Sequence, residues 1–151
     1  MISKHISYKE GIRSNTAKRK GIENIPNPFH LANMKLLAEK VFEPLRLQVG
    51  GPIKVNSFFR SPKLNKAIGG STKSQHCLGQ AIDIDDTFGL WSNAEMFNWV
   101  RENLDFDQMI WEFGDDDNPD WVHISYVTPE VNRNRCLKAY RKKSGVKYKV
   151  I

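Results

Sequence analysis

Apolar and polar positions along the chain follow two rhythms, and the switches between them predict the elements. From Phe29 to about Val49, Leu31, Met34, Leu37, Val41 and Leu45 recur at three or four. That is one buried face of an amphipathic helix. Pro44 falls inside this run and is expected to kink or stop it unless the helix restarts there. The spacing of Leu90, Ala94, Phe97, Val100 and Leu104 predicts a second long helix, from Leu90 to Asn103. Shorter helices are expected at Ser7-Tyr8-Lys9-Glu10, a Ser-x-x-Glu capping box, at Ser14 to Lys18 with Gly21 as its end, and from Ser61-Pro62 to about Ile68. Period two marks strands at Ile53 to Ser57, Ala81 to Asp85, Phe106 to Phe113 and Trp121 to Tyr126. Gly50-Gly51-Pro52, Gly69-Gly70-Ser71, Asp86 to Gly89 and Gly114 to Pro119 are the breaks between them. Arg135 to Tyr140 adds an edge strand or a short helix, and the last ten residues are expected to be loose.

Together these elements predict an α+β fold, with helices on one side of a small, mainly antiparallel sheet. A chain of 151 residues suits one domain and buries a real core without disulfides. Residues 1–23 form a helical lead-in, 24–128 the core and 129–151 a basic extension.

Composition narrows the class. The hydrophobic fraction of 40% and charged fraction of 26% are those of a soluble globular protein. No apolar run is long enough for a transmembrane helix. Met1 to His5 leads into polar sequence with no apolar core of a secretory signal. The expectation is a chain that stays in the cytosol or leaves by another route, such as phage-induced lysis. Cys77 and Cys136 are far apart and read as free thiols in a reducing compartment. The net charge of +6 is concentrated in Lys18-Arg19-Lys20 and in Arg133 to Lys149. Such a surface meets an anionic polymer or stays solvated. No nucleic-acid module pattern is present, so no nucleic-acid partner is expected; nor is a membrane, and a monomer is expected.

The chemistry centres on Ser74-Gln75-His76-Cys77-Leu78-Gly79-Gln80-Ala81-Ile82-Asp83-Ile84-Asp85. A loop carrying His76 precedes a strand carrying Asp83, so both side chains can be aimed at one point. On that strand Asp83 and Asp85 share a face, with Ile82 and Ile84 on the other. One imidazole nitrogen and one carboxylate oxygen make two-thirds of a hydrolytic zinc site. Of the four histidines, His5 lies near the terminus and His30 at the start of a helix. His123, on the β-rich run Trp121 to Tyr126, is the third ligand. Two histidines and an aspartate leave a fourth position open for water, as catalytic zinc requires. Cys77 is next to His76 in sequence, but neighbours on an extended segment point apart.

Ser74-x-His76, Asp83 and Trp121-x-His123 resemble the zinc D-Ala-D-Ala peptidases of the M15 type. That group includes carboxypeptidases and phage endolysins and shares its fold with the Hedgehog signalling domain. The likeness extends upstream through Val55-Asn56-Ser57-Phe58-Phe59-Arg60-Ser61-Pro62-x-Leu64-Asn65 and Gly69-Gly70-Ser71, and runs from about Asn24 to Tyr126. Phe58 stands where glycine is common in the group, a change expected to narrow the pocket. The resemblance implies one catalytic zinc ion and a substrate of bacterial peptidoglycan. Teichoic acid or the wall's own carboxylates then become the natural partners of the basic extension.

A general base must lie within hydrogen-bond reach of the metal-bound water. The resemblance implies Asp120, three residues before His123, and this is the preferred reading. Glu112, among the aromatics of Ile110-Trp111-Glu112-Phe113, competes: if Met109, Trp111 and Phe113 face the core, Glu112 faces the other side with Ile110. A carboxyl in such surroundings has a raised pKa suited to proton transfer. Arg60 offers a fork for an oxyanion or a substrate carboxylate, and in the resembling dipeptidases the matching arginine assists the scissile carbonyl. Ser74 and Gln75 are expected to hold the substrate backbone, with Trp121 and Trp111 walling the cleft. A non-catalytic zinc-containing wall-binding domain and a phage structural protein are the rival readings.

Overall fold

Six strands, β1 (Lys54–Ser57), β2 (Ala81–Asp85), β3 (Gln108–Glu112), β4 (Trp121–Ser125), β5 (Arg135–Lys142) and β6 (Gly145–Val150), form one sheet in a computed structural model that describes residues 1–151. Their order is β1-β2-β4-β3-β5-β6. Every neighbouring pair is antiparallel except β3 and β5, which run parallel. The sheet is therefore mixed but mainly antiparallel, and the fold is α+β.

Period two gives the sheet its two faces. Ile82, Ile84, Met109, Trp111, Val122 and Ile124 point into the main core. There they meet Met34, Leu37, Val41 and Leu45 from one helical stretch and Met96, Phe97 and Val100 from another. Asp83, Glu112 and His123 take the alternate positions and stand on the opposite face with Ile110.

The Phe29 to Val49 pattern is one continuous helical stretch in three parts. α3 (Pro28–Leu37) passes through a π turn (Ala38–Phe42) into α4 (Glu43–Val49). The Glu43 N–H reaches back to the Ala38 carbonyl across this widened turn. Pro44 follows directly in the first turn of α4, where a missing N–H is tolerated. The proline thus neither ends the helix nor restarts it, because the extra residue in the turn gives it room.

Three shorter helices match their sequence signals: α1 (Tyr8–Ile12), α2 (Asn15–Lys20) and α5 (Pro62–Ala67), with N-caps Ser7, Ser14 and Ser61. α6 (Asn93–Asn103) starts later than its apolar spacing suggests. Ser92 and Glu95 form a reciprocal capping box there and set the start, leaving Leu90 outside and exposed.

Two expectations about the ends are overturned. β5 is not an edge strand or a helix: it lies between β3 and β6. The last ten residues are not loose either. β6 pairs with β5 along its whole length, and the Ile151 N–H bonds the Cys136 carbonyl at 3.0 Å. Val146, Tyr148 and Val150 alternate with Lys147 and Lys149, a strand pattern masked by its charge. At the other end Ile2 and Ile6 are buried in the main core, and the Phe59 N–H bonds the Gly11 carbonyl at 3.1 Å. The lead-in is thus packed into the body of the domain. Cys77 and Cys136 are both free thiols. No helix is long and apolar enough to cross a membrane.

Candidate metal centre

His76 sits in a 3-10 turn (Gln75–Leu78) held at both ends. Ser74 Oγ accepts from the His76 N–H at 3.3 Å, and Gly79 closes the turn with φ 72°. A side chain at Gly79 would also run into the His30 carbonyl, so glycine is required there twice over. The Arg60 N–H donates to the His76 carbonyl at 3.2 Å, tying the turn to the end of β1. On the sheet, Asp83 of β2 pairs with His123 of β4. That register places a carboxylate and an imidazole side by side, with Asp83 Oδ1 and His123 Nδ1 at 2.9 Å. His76 Nε2 approaches Asp83 Oδ2 at 3.3 Å. The His76 and His123 rings meet edge to face at 5.1 Å. One ligand atom from each of His76, Asp83 and His123 lies within 4.8 Å of the others, so the three could hold a metal ion.

The donor set fits a divalent cation. His76 Nδ1 lies 2.7 Å from the Phe58 carbonyl, which only accepts, so Nδ1 carries the hydrogen. Burial pushes the His76 imidazole below its ordinary pKa and favours the neutral form. Its Nε2 lone pair is then buried with no hydrogen-bond partner, facing a carboxylate oxygen. Two facing lone pairs are unfavourable until a cation comes between them, and an imidazole fixed through its other nitrogen is how metal-binding histidines are oriented. Burial alone would raise Asp83, but the neighbouring His76 and the hydrogen bond with His123 outweigh it and hold Asp83 well below the usual carboxylate range.

A cleft of about 580 Å³ opens above this cluster. Arg60, Ser74 and Gln75 line it from the loop side, and Glu112, Trp121, Ile110, Leu137 and Tyr148 from the sheet. Glu112 is buried on β3 opposite Trp121. Burial pushes its carboxyl up to about 7, with the Asp83 charge adding to the effect and His123, Arg141 and Arg60 opposing it. Asp120 stands elsewhere. Its side chain is exposed and outside the cleft lining, while its backbone N–H bonds the Glu112 carbonyl at 2.9 Å. Of the two carboxylates, Glu112 is the one that lines the cleft.

Arg60 forms no ion pair with a carboxylate. Its Nη1 donates to Asn65 Oδ1 at 3.3 Å, and its buried Nε has no partner. Burial lowers its pKa, partly offset by Asp83; an arginine remains charged regardless. Gln75 is engaged: its Nε2 donates to Asp107 Oδ2 at 2.8 Å. Asp107 is itself gripped by Arg133 through Nε and Nη2, each at 2.9 Å. Trp121 is half-buried on the cleft wall and meets Phe113 edge to face at 5.5 Å.

Two aromatic expectations fail. Trp111 belongs to the core, packed edge to face on Phe97 at 5.3 Å, because odd positions of β3 face the helices. Phe58 is likewise buried in the core, so it does not narrow the pocket; only its carbonyl serves the site. Cys77 is outside the ligand cluster. Leu137 and Tyr148 were missed, though the alternation around Tyr148 marks a strand able to carry it to the cleft.

No curated protein matches the chain. A family model described as Peptidase M15 matches residues 4–125. The match includes the N-terminal lead-in as well as Arg60, Glu112 and all three residues of the cluster, and by it the chain belongs to the peptidase M15 family.

Proposed function

We propose that the protein is a zinc-dependent peptidase of the bacterial cell wall, hydrolysing peptidoglycan peptides that contain D-amino acids. The bond is a terminal D-Ala-D-Ala, for a carboxypeptidase, or an internal one, for an endolysin-type endopeptidase. The observation that carries the reading is the single cleft joining the His76, Asp83 and His123 cluster to the raised carboxyl of Glu112. His76, Asp83 and His123 would hold one zinc ion, the metal best suited to two imidazoles, one carboxylate and an open position. Zinc in such a set supplies a water acidified to about pH 7 and polarises a carbonyl.

Glu112 is the general base. A carboxyl near pH 7 can take a proton from water and pass it to the leaving nitrogen. Arg60 points a guanidinium with an unpartnered nitrogen at the same space and binds the scissile carbonyl oxygen or a substrate carboxylate. Ser74 and Gln75 shape the loop along which the substrate backbone lies, and Trp121 gives the flat wall beside it. The substrate is wall peptide, met after the protein leaves the cytoplasm, as a phage or prophage lysin would be. The basic C-terminal residues favour the anionic polymers around it.

The test pairs metal analysis with wall digestion. Purified protein is expected to hold about one zinc per chain and to release peptides from peptidoglycan, while His76→Ala does neither. Fragment masses then name the bond. Zinc bound without cleavage of any wall or D-Ala-D-Ala peptide would turn the reading to a non-catalytic binding domain.

A further inference from the structure

The cleft continues past the proton-transferring carboxylate. Strand order sets its long axis: Arg60 follows β1, Asp83 and His123 of the cluster stand on β2 and β4, Glu112 on β3, and Tyr148 on β6. Glu112 pairs with Ala139, and Ala139 with Tyr148, so the three lie in one row across the sheet. Ala139 is fully buried and lies outside the cleft lining. Ile110 and Leu137 form the next row and give the cleft an apolar floor. Tyr148 lines the cleft although its outer edge is exposed. Its hydroxyl is pushed up by burial and by the Glu112 charge.

Two strand spacings separate Glu112 from Tyr148, roughly 10 Å, or about three residues of extended peptide. In the peptidase reading, on which this inference rests, Glu112 hands its proton to the leaving nitrogen. The space beyond Glu112 is then the leaving-group side, and Arg60 lies at the opposite end. Leu137 and Tyr148 also come from the hairpin that follows the residues matched by the family model.

We infer that Tyr148 is a specificity-determining residue whose ring closes the leaving-group side of the cleft and selects peptides continuing about two or three residues past the scissile bond. The ring does this through apolar contact with the substrate, and the hydroxyl is not needed.

The experiment compares wild type, Tyr148→Ala and Tyr148→Phe, all zinc-loaded, on two synthetic peptides with the same scissile bond. One ends a single residue past that bond and the other continues for three. Tyr148→Ala is expected to lower the long-over-short ratio of kcat/KM roughly tenfold, the scale of one apolar pocket contact, through KM of the long peptide. Tyr148→Phe is expected to keep the wild-type ratio. Calorimetry adds a readout independent of turnover: the three-residue leaving fragment should bind metal-free wild type roughly tenfold tighter than metal-free Tyr148→Ala. If wild type cleaves both peptides and Tyr148→Ala leaves the ratio unchanged, the inference is wrong and the peptidase reading stands. If wild type cleaves neither, the peptidase reading fails. Equal fragment binding by wild type and Tyr148→Ala overturns the inference in that case too.

Discussion

Glu112 combines two properties that a carboxyl seldom holds together: it is buried, and it faces a cleft. Glu112→Gln is expected to cost about 10²- to 10⁴-fold in kcat while keeping zinc, and Asp120→Asn to stay within a few-fold of wild type. Steady-state kinetics with metal analysis of both variants checks this, and a large loss in Asp120→Asn with Glu112→Gln near wild type would give the base role to Asp120. Burial also makes Glu112 a pH-dependent burden on the metal-free fold. A carboxyl raised to about 7 favours folding fully below its unfolded pKa, and that contribution is lost as pH rises toward 7. Metal-free wild type should therefore lose up to about 3 kcal/mol between pH 4.5 and 8 that Glu112→Gln does not lose, read by urea unfolding. At this scale much was legible in the sequence. His76, Asp83 and His123 stand at positions whose strand alternation and loop placement converge on one point. Which of Glu112 and Asp120 lines the cleft was not legible, because it turns on where β4 begins. Glu112 pairs with Trp121, and Asp120 falls just outside the ladder with its side chain in solvent.

Element boundaries depend on caps as much as on apolar spacing. Ser92 and Glu95 bond each other's backbone N–H groups at the start of α6. Ser92→Ala is expected to cost about 1 kcal/mol of stability, measured by denaturant unfolding, with no change in zinc content. The apolar pattern alone carried this helix back to Leu90, since periodicity cannot see where the backbone turns. Pro44 shows the converse. Its residue type argued for a break, but buried side chains on both sides of the π turn keep the stretch continuous. β6 was hidden for a third reason. Its residues are all exposed, so no burial contrast between its faces supported the alternation, and the lysines read as a solvated tail.

One tie joins the site loop to the segment that leads into β5. Asp107 accepts from Gln75 on one side and from Arg133 on the other. Burial opposes its charge, but the Arg133 and Gln75 hydrogen bonds win and hold its pKa below the ordinary carboxylate range. The sign follows: this contribution is present above the unfolded carboxylate pKa and is lost as pH falls through the lower, folded value. Asp107→Asn is expected to flatten the acid limb of a stability-versus-pH curve, a change that thermal melts at pH 3 to 6 would show. Metal acts on the same global equilibrium. Zinc at a hundred times its Kd should add about 2.7 kcal/mol, and a chelator, or His76→Ala, should remove that increment from the melting curve. The parallel pairing of β3 with β5 has a bearing on synthesis. Parallel neighbours cannot be joined by a tight hairpin, so the chain lays down β4 before it can return beside β3. Made from its N-terminus, the polypeptide carries all the cluster residues and Glu112 before the hairpin bearing Tyr148 is translated. Until β5 is made, the far edge of β3 stays unpaired, an open strand edge of the kind that invites wrong pairing.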